Sequence, residues 1–141
     1  MVAIAACGAD FPRDPDGTLR QVRATGSFSV GIVAPLVQGR HSREVRTLIE
    51  RIGAAAGAAP RIETGDTEPL LKRLEAGQLD LVIGRFDAKS PWATLVTIGP
   101  PIVVEPQGEA ELRLAPAMQN GENGWIALIE RAARDLAPEA A

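Results

Sequence analysis

His41 is the only histidine and Cys7 the only cysteine among the 141 residues, so a Cys-His or Ser-His pair would have to use one of these two side chains. Cys7 lies far from His41 in a polar leader, and no G-x-S-x-G elbow supplies a serine nucleophile. The same scarcity argues against a zinc site and excludes an intrachain disulfide. Asp66, Glu68 and Asp87 fall near strand ends, yet acidic residues at helix starts are already accounted for by the helix dipole. Gly53 and Gly57 fall within or just after a helix, not between a strand and a helix, so they form no phosphate loop. The sequence thus predicts no catalytic set, no metal and no cofactor. What remains suits recognition: Arg85, Asp87, Lys89, Ser90, Pro91 and Trp92 follow one another closely after an apolar run, combining cations with one flat aromatic surface. Asp87 and Glu63 are acidic partners within reach of Arg85, which would make that arginine a surface ion pair.

Apolar residues make up 45% of the chain and charged ones 23%, a balance that suits one globular domain with one core. Net charge is −3 and the basic residues are scattered, so no footprint for nucleic acid is present. Tyrosine is absent and there are only 3 Phe and 2 Trp, too few for an aromatic stacking platform or cage. No apolar run approaches the roughly 20 residues that a membrane-spanning helix needs.

The elements that must position the recognition residues follow from periodicity. A short helix is predicted over 18–23, with Thr18 as cap, and a strand over 27–34, stopped by Pro35. Val45, Leu48, Ile49 and Ile52 recur at helical spacing, with Ser42 as N-cap and Gly57 as stop. A short strand at 61–64 precedes a helix capped by Asp66 or Thr67, with Pro69 in its first turn and Leu70, Leu71 and Leu74 as its buried stripe. Residues 79–83 form an apolar run interrupted only by Asp80, as for a strand covered on both faces. The order β-α-β-α-β predicts parallel pairing with helices on the faces and a ligand site beyond the carboxyl ends of the strands, at 35–41, 65–67 and 84–92. A pair of short strands around 95–104 and 111–116 and a final helix from Asn123 complete the expectation. The predicted class is α/β: one three-layer lobe with a mostly parallel sheet, one or two extra strands and a C-terminal helix. Residues 1–17 form a leader and tether, 18–136 the lobe, and 137–141 a frayed tail.

Ile4-Ala5-Ala6-Cys7-Gly8 resembles a bacterial lipobox, in which the cysteine is lipidated and becomes the mature N-terminus. A polar tether with Asp10, Pro12, Asp14, Pro15 and Asp16 follows at once. Only six residues precede Cys7, so this reading places Met1 inside a longer signal peptide. It implies a lipid-anchored protein of the periplasm or cell envelope, touching the membrane only through that anchor. A genuine start at Met1 implies the cytoplasm instead.

The segment at 74–84, L-E-A-G-Q-L-D-L-V-I-G, the strand F-S-V-G-I at 28–32 and V-T-I-G-P-P-I at 96–102 together resemble the bacterial extracellular solute-binding proteins of family 3, which have the type II periplasmic-binding-protein fold. The resemblance spans residues 27–136 but only the first of that family's two lobes. The second lobe would be inserted beyond Ile102, where this chain passes through a short turn into 111–116. The family's amino-acid-binding members hold the ligand carboxylate with an arginine, and ungapped matching puts Trp92 there; an indole has one N–H and no charge. Arg46 or Thr47 stands where those members carry an acidic residue for the ligand amine. The resemblance therefore implies a non-enzymatic solute-binding-like domain, a weak small-molecule binder or ABC-transport accessory whose carboxylate anchor is lost. The alternative is a protein-interaction or self-association module using the former inter-lobe surface, with Trp92, Pro91, Pro35 and Leu36, whose partner is a second copy or another envelope protein. A dehydratase is also known on this fold, but no motif here supports it.

Overall fold

A computed structural model describes residues 15–87 and 89–136. Cys7, its tether up to residue 14 and the tail at 137–141 lie outside the described residues. The elements in order are α1 (Thr18–Thr25), β1 (Ser27–Val33), α2 (Ser42–Ala56), β2 (Ala59–Gly65), α3 (Thr67–Glu75), β3 (Leu81–Asp87), β4 (Val96–Ile98), β5 (Val103–Gln107), β6 (Ala110–Gln119) and α4 (Asn123–Arg134), with short 3-10 turns at Ala34–Leu36 and Pro91–Thr94.

The sheet runs β2-β1-β3-β6-β4, and β5 also pairs with β6. β1 lies parallel to both β2 and β3, giving the two crossovers that the sequence pattern predicts. The remaining pairings are antiparallel, and β6 is the spine of that half. One edge of β6 holds β3 over residues 112–117; the other holds β5 at its start and β4 at its end. Three strands are therefore added to the βαβαβ unit rather than one or two, and the sheet is mixed. The expected strand over 95–104 is split at Gly99, whose N–H donates to the Pro116 carbonyl (2.8 Å) before Pro100 and Pro101 break the ladder.

Alternation along the strands explains the layers. Phe28, Val30, Ile32, Leu81, Ile83, Leu114 and Met118 face α1, α2 and α4, where Leu48, Ile52, Trp125 and Ile129 close the main core. Val82, Phe86, Ala115 and Ala117 face the other way, against Leu70, Leu71 and Leu74 of α3. Each fully buried Val, Leu, Ile, Phe or Met among these contributes about 1.5–3 kcal/mol relative to exposure.

Two caps differ from the sequence expectation. α1 starts after Gly17, which has φ +63°, and Thr18 is already helical. α2 is preceded by His41 as N-cap, so Ser42 falls inside the first turn. At α1 a polar partner elsewhere in the chain takes over what a local cap would do. The α1 N-terminus is instead met by Glu122, 104 residues away. Its fully buried carboxylate accepts from the Thr18 N–H (2.8 Å), the Thr18 hydroxyl (2.7 Å) and the Asp16 N–H (2.9 Å). Desolvation would raise the Glu122 pKa, but the hydrogen bonds from Asp16 and Thr18 outweigh it and hold the carboxyl below its ordinary value.

Candidate ligand-binding edge

β1 sends its connection toward β2 on one side, while β3 leads to the antiparallel half on the other, so the loops after β1 and β3 diverge and leave a crevice at their carboxyl ends. The residues singled out from sequence fall around it but do not converge. Pro35 is exposed in the 3-10 turn after β1, in a depression of about 440 Å³ shared with Ala34, Val37, Gln38, Gly39 and Thr64. Leu36 points into the main core and is buried, so its side chain is not offered to a ligand or partner. Ser90 accepts the Trp92 N–H (3.3 Å) and starts the second 3-10 turn, with Pro91 exposed beside it. Trp92 is half-buried and lies against the α3-side core, which makes it a lid on that core as well as a surface. Asp87 accepts the Lys89 N–H (3.0 Å) and is otherwise open to solvent.

Arg85 faces the opposite side of the sheet from Trp92, following the alternation of Leu81 and Ile83. Its partner is neither Asp87 nor Glu63: Arg85 Nη2 lies 3.8 Å from Glu105 Oε1, and Glu63 is bound to Arg73. Glu105 also bonds His41 Nε2, while His41 Nδ1 lies 3.3 Å from Glu44 Oε2. His41 is only 15% exposed. A neutral imidazole can donate from one nitrogen only, and here both ring nitrogens face carboxylate oxygens. The carboxylates of Glu44, Glu105 and Asp87 outnumber Arg85 at this edge.

Sequence reading missed Glu105 and Glu44. The available signal for Glu105 was its place two residues after Val103 in an apolar strand, which puts a carboxylate on the core-facing side of β5. Arg113 was missed as well. It lines a depression of about 220 Å³ with Phe86, Asp87, Ala93, Ile98, Gly99 and Ala115, and it lies 3.6 Å from Glu111. Among the described residues no group of three or more His, Cys, Asp or Glu is placed to hold a metal. No described helix is long and apolar enough to cross a membrane.

A mixed sheet of this order, layered between helices and closed by a C-terminal helix, defines a single lobe of the type II periplasmic-binding-protein fold. Solved structures agree. Domain 1 of TmArgBP, as a Phe57Trp mutant in its arginine-bound form, superposes with a TM-score of 0.70 at 16% identity, covering 84% of this chain and 97% of that one. An amino acid ABC transporter substrate-binding protein from Streptococcus pneumoniae, bound to L-arginine, gives 0.65 at 9% identity over 84% of this chain and 91% of that one. The VFT2 domain of Bordetella pertussis BvgS gives 0.61 at 14% identity, covering 90% and 95%. At these identities the likeness is one of fold. No protein-family model and no curated protein matches the sequence.

Proposed function

We propose that this chain is a non-enzymatic, single-lobe solute-binding domain, tethered in the bacterial envelope through a lipid on Cys7, which takes small solutes weakly at the strand ends and no longer anchors an amino-acid carboxylate. The observation that carries it is the TmArgBP neighbour. That protein holds arginine as domain 1 alone, and this lobe matches 97% of its length. A half-open site buries less of a ligand than a closed two-lobed one, hence the weak binding. The second support is electrostatic: the arginine at the crevice is already held by Glu105, whereas Glu44, Glu105 and Asp87 favour a cationic group such as a guanidinium.

Calorimetry and thermal shift with L-arginine and with agmatine, its decarboxylated analogue, test both parts. With a Kd of about 1 mM, ligand at about 10 mM stabilises the fold by about 1.4 kcal/mol. Agmatine should do as well as arginine, and Glu105→Gln should remove the effect of both. No shift with either ligand overturns the reading, and a shift with arginine alone restores a carboxylate anchor. Mass spectrometry of protein expressed in a bacterial envelope with its native upstream sequence should find a diacylglycerol adduct on Cys7; an unmodified thiol overturns the tether. A second reading, an interaction module on the same surface, draws on Leu95, which is 47% exposed in the turn after Trp92.

A further inference from the structure

β2 is an edge strand that pairs only with β1. The Ala59 N–H donates to the Gly26 carbonyl (2.9 Å), so the odd-numbered residues of β2 turn their backbone groups toward β1. Pro60, Ile62 and Thr64 therefore present theirs to solvent. Three large hydrophobic side chains are markedly exposed among the described residues, and two of them, Ile62 (54%) and Val37 (40%), line the same groove between β2 and α2. That groove measures about 350 Å³ and has Val45, Ile49 and Pro60 along its walls.

We propose that β2 is a self-association edge, at which two copies pair antiparallel about a two-fold axis at Ile62. In that register each Ile62 N–H donates to the other copy's Ile62 carbonyl, and each Thr64 N–H donates to the opposing Pro60 carbonyl. A proline on an edge strand ordinarily blunts pairing. Here Pro60 accepts from the opposing Thr64 N–H but cannot donate back to the Thr64 carbonyl, so two of the six bonds this register would allow are lost and four remain. The side chains are self-complementary as well. Arg61 falls opposite Glu63 of the second copy, twice, in the close non-hydrogen-bonded pairs. Among the described residues Arg61 has no ion-pair partner, and Glu63 already holds Arg73, so the pairing places each carboxylate between two guanidinia. On the other face the two Ile62 side chains meet and cover the mouths of the two grooves. An interface made of one strand and one groove is small, which points to a reversible dimer. This surface adjoins the strand-end depression through Val37 and Thr64, but the pairing uses neither Arg85 nor Glu105, so the inference does not depend on the solute-binding reading.

Sedimentation velocity of the full chain from about 5 to 500 µM tests it, that span covering the weak end of specific interfaces. The wild type should pass from monomer to dimer. Ile62→Lys, Thr64→Pro, which removes only an outward N–H, and Arg61→Glu, which sets like charges opposite each other twice, should each weaken the dimer at least about tenfold. Arg61 is exposed, so its variant reports on association even if another loses stability; circular dichroism checks each fold. A monomer throughout the range overturns the proposal. So does a dimer unchanged in Ile62→Lys and Arg61→Glu, or one abolished by Trp92→Ala instead.

Discussion

Glu122→Gln tests a long-range polar contact that ties the start of α1 to the residue before α4. The carboxylate accepts three hydrogen bonds at the N-terminus of α1, where the helix dipole adds to its stabilisation. In glutamine the retained oxygen still faces Thr18, but both bonds become neutral, and the new NH2 group meets the Asp16 N–H as donor against donor. Charge-assisted bonds contribute about 1.5–3 kcal/mol each and neutral ones about 1, so the expected loss is about 2–4 kcal/mol at pH 7. The pH dependence has a definite sign. The folded pKa is depressed below the ordinary 4.5, so the unfolded chain binds the proton more readily. The stabilisation is complete above that ordinary value and disappears as pH falls through the folded one. Glutamine does not titrate. Urea denaturation at a series of pH values should therefore show the widest gap between wild type and Glu122→Gln near neutrality, narrowing as the pH falls below the ordinary carboxylate range. A gap that does not narrow with acidification, or one under about 0.5 kcal/mol at pH 7, would refute the assignment.

Two further substitutions probe the core. Trp125 packs edge-on against Phe28 with ring centres 5.7 Å apart, and its indole N–H donates to the Asp80 carbonyl (2.7 Å). Trp125→Phe should cost about 2–4 kcal/mol in urea denaturation through the lost bond and the space left behind; a cost below about 1 kcal/mol would remove Trp125 as a keystone. A Cβ added at Gly31 would stand 2.9 Å from Leu70 Cδ2 and 3.1 Å from Leu79 Cδ1. Gly31→Ala should therefore lower stability by about 1–3 kcal/mol by overpacking, and an unchanged denaturation midpoint would show that the leucine tips move aside freely.

The two parallel crossovers were legible because each helix carries its own periodicity and each stop its own glycine or proline. Gly57 ends α2 with φ +65° as expected. The antiparallel half was harder to read. β4, β5 and β6 are defined by pairing with one another, and nothing local to 96–107 says that β6 holds two strands on one edge. Asp80 shows the same limit. In sequence it is a flaw in an apolar run, whereas in the structure it accepts from the Ser29 N–H (2.9 Å) and hydroxyl (3.1 Å), fastening β3 to β1 at the end away from the crevice. Glu105 and Glu122 were missed for the same reason: each partner is distant in the chain, and a charged residue read alone looks solvated; Glu44 was read as part of a solvated helix face although its partner His41 is only three residues away.

Gly108 and Glu109 close β5 directly onto β6, with Gln107 opposite Ala110 and Gly108 at φ +61°, as in a tight type II′ hairpin turn. In a two-lobed binder the strands that cross at such a place act as the hinge, and capture is registered as closure. A hairpin has no such degree of freedom. Under the solute-binding reading, a Kd of about 1 mM with near-diffusional encounter gives a residence time on the order of 10 µs. Such a lobe cannot latch. It equilibrates with its surroundings as fast as the solute arrives, and a partner reading its occupancy would have to sense the solute's own chemistry, averaged over time, because no change of shape records the event.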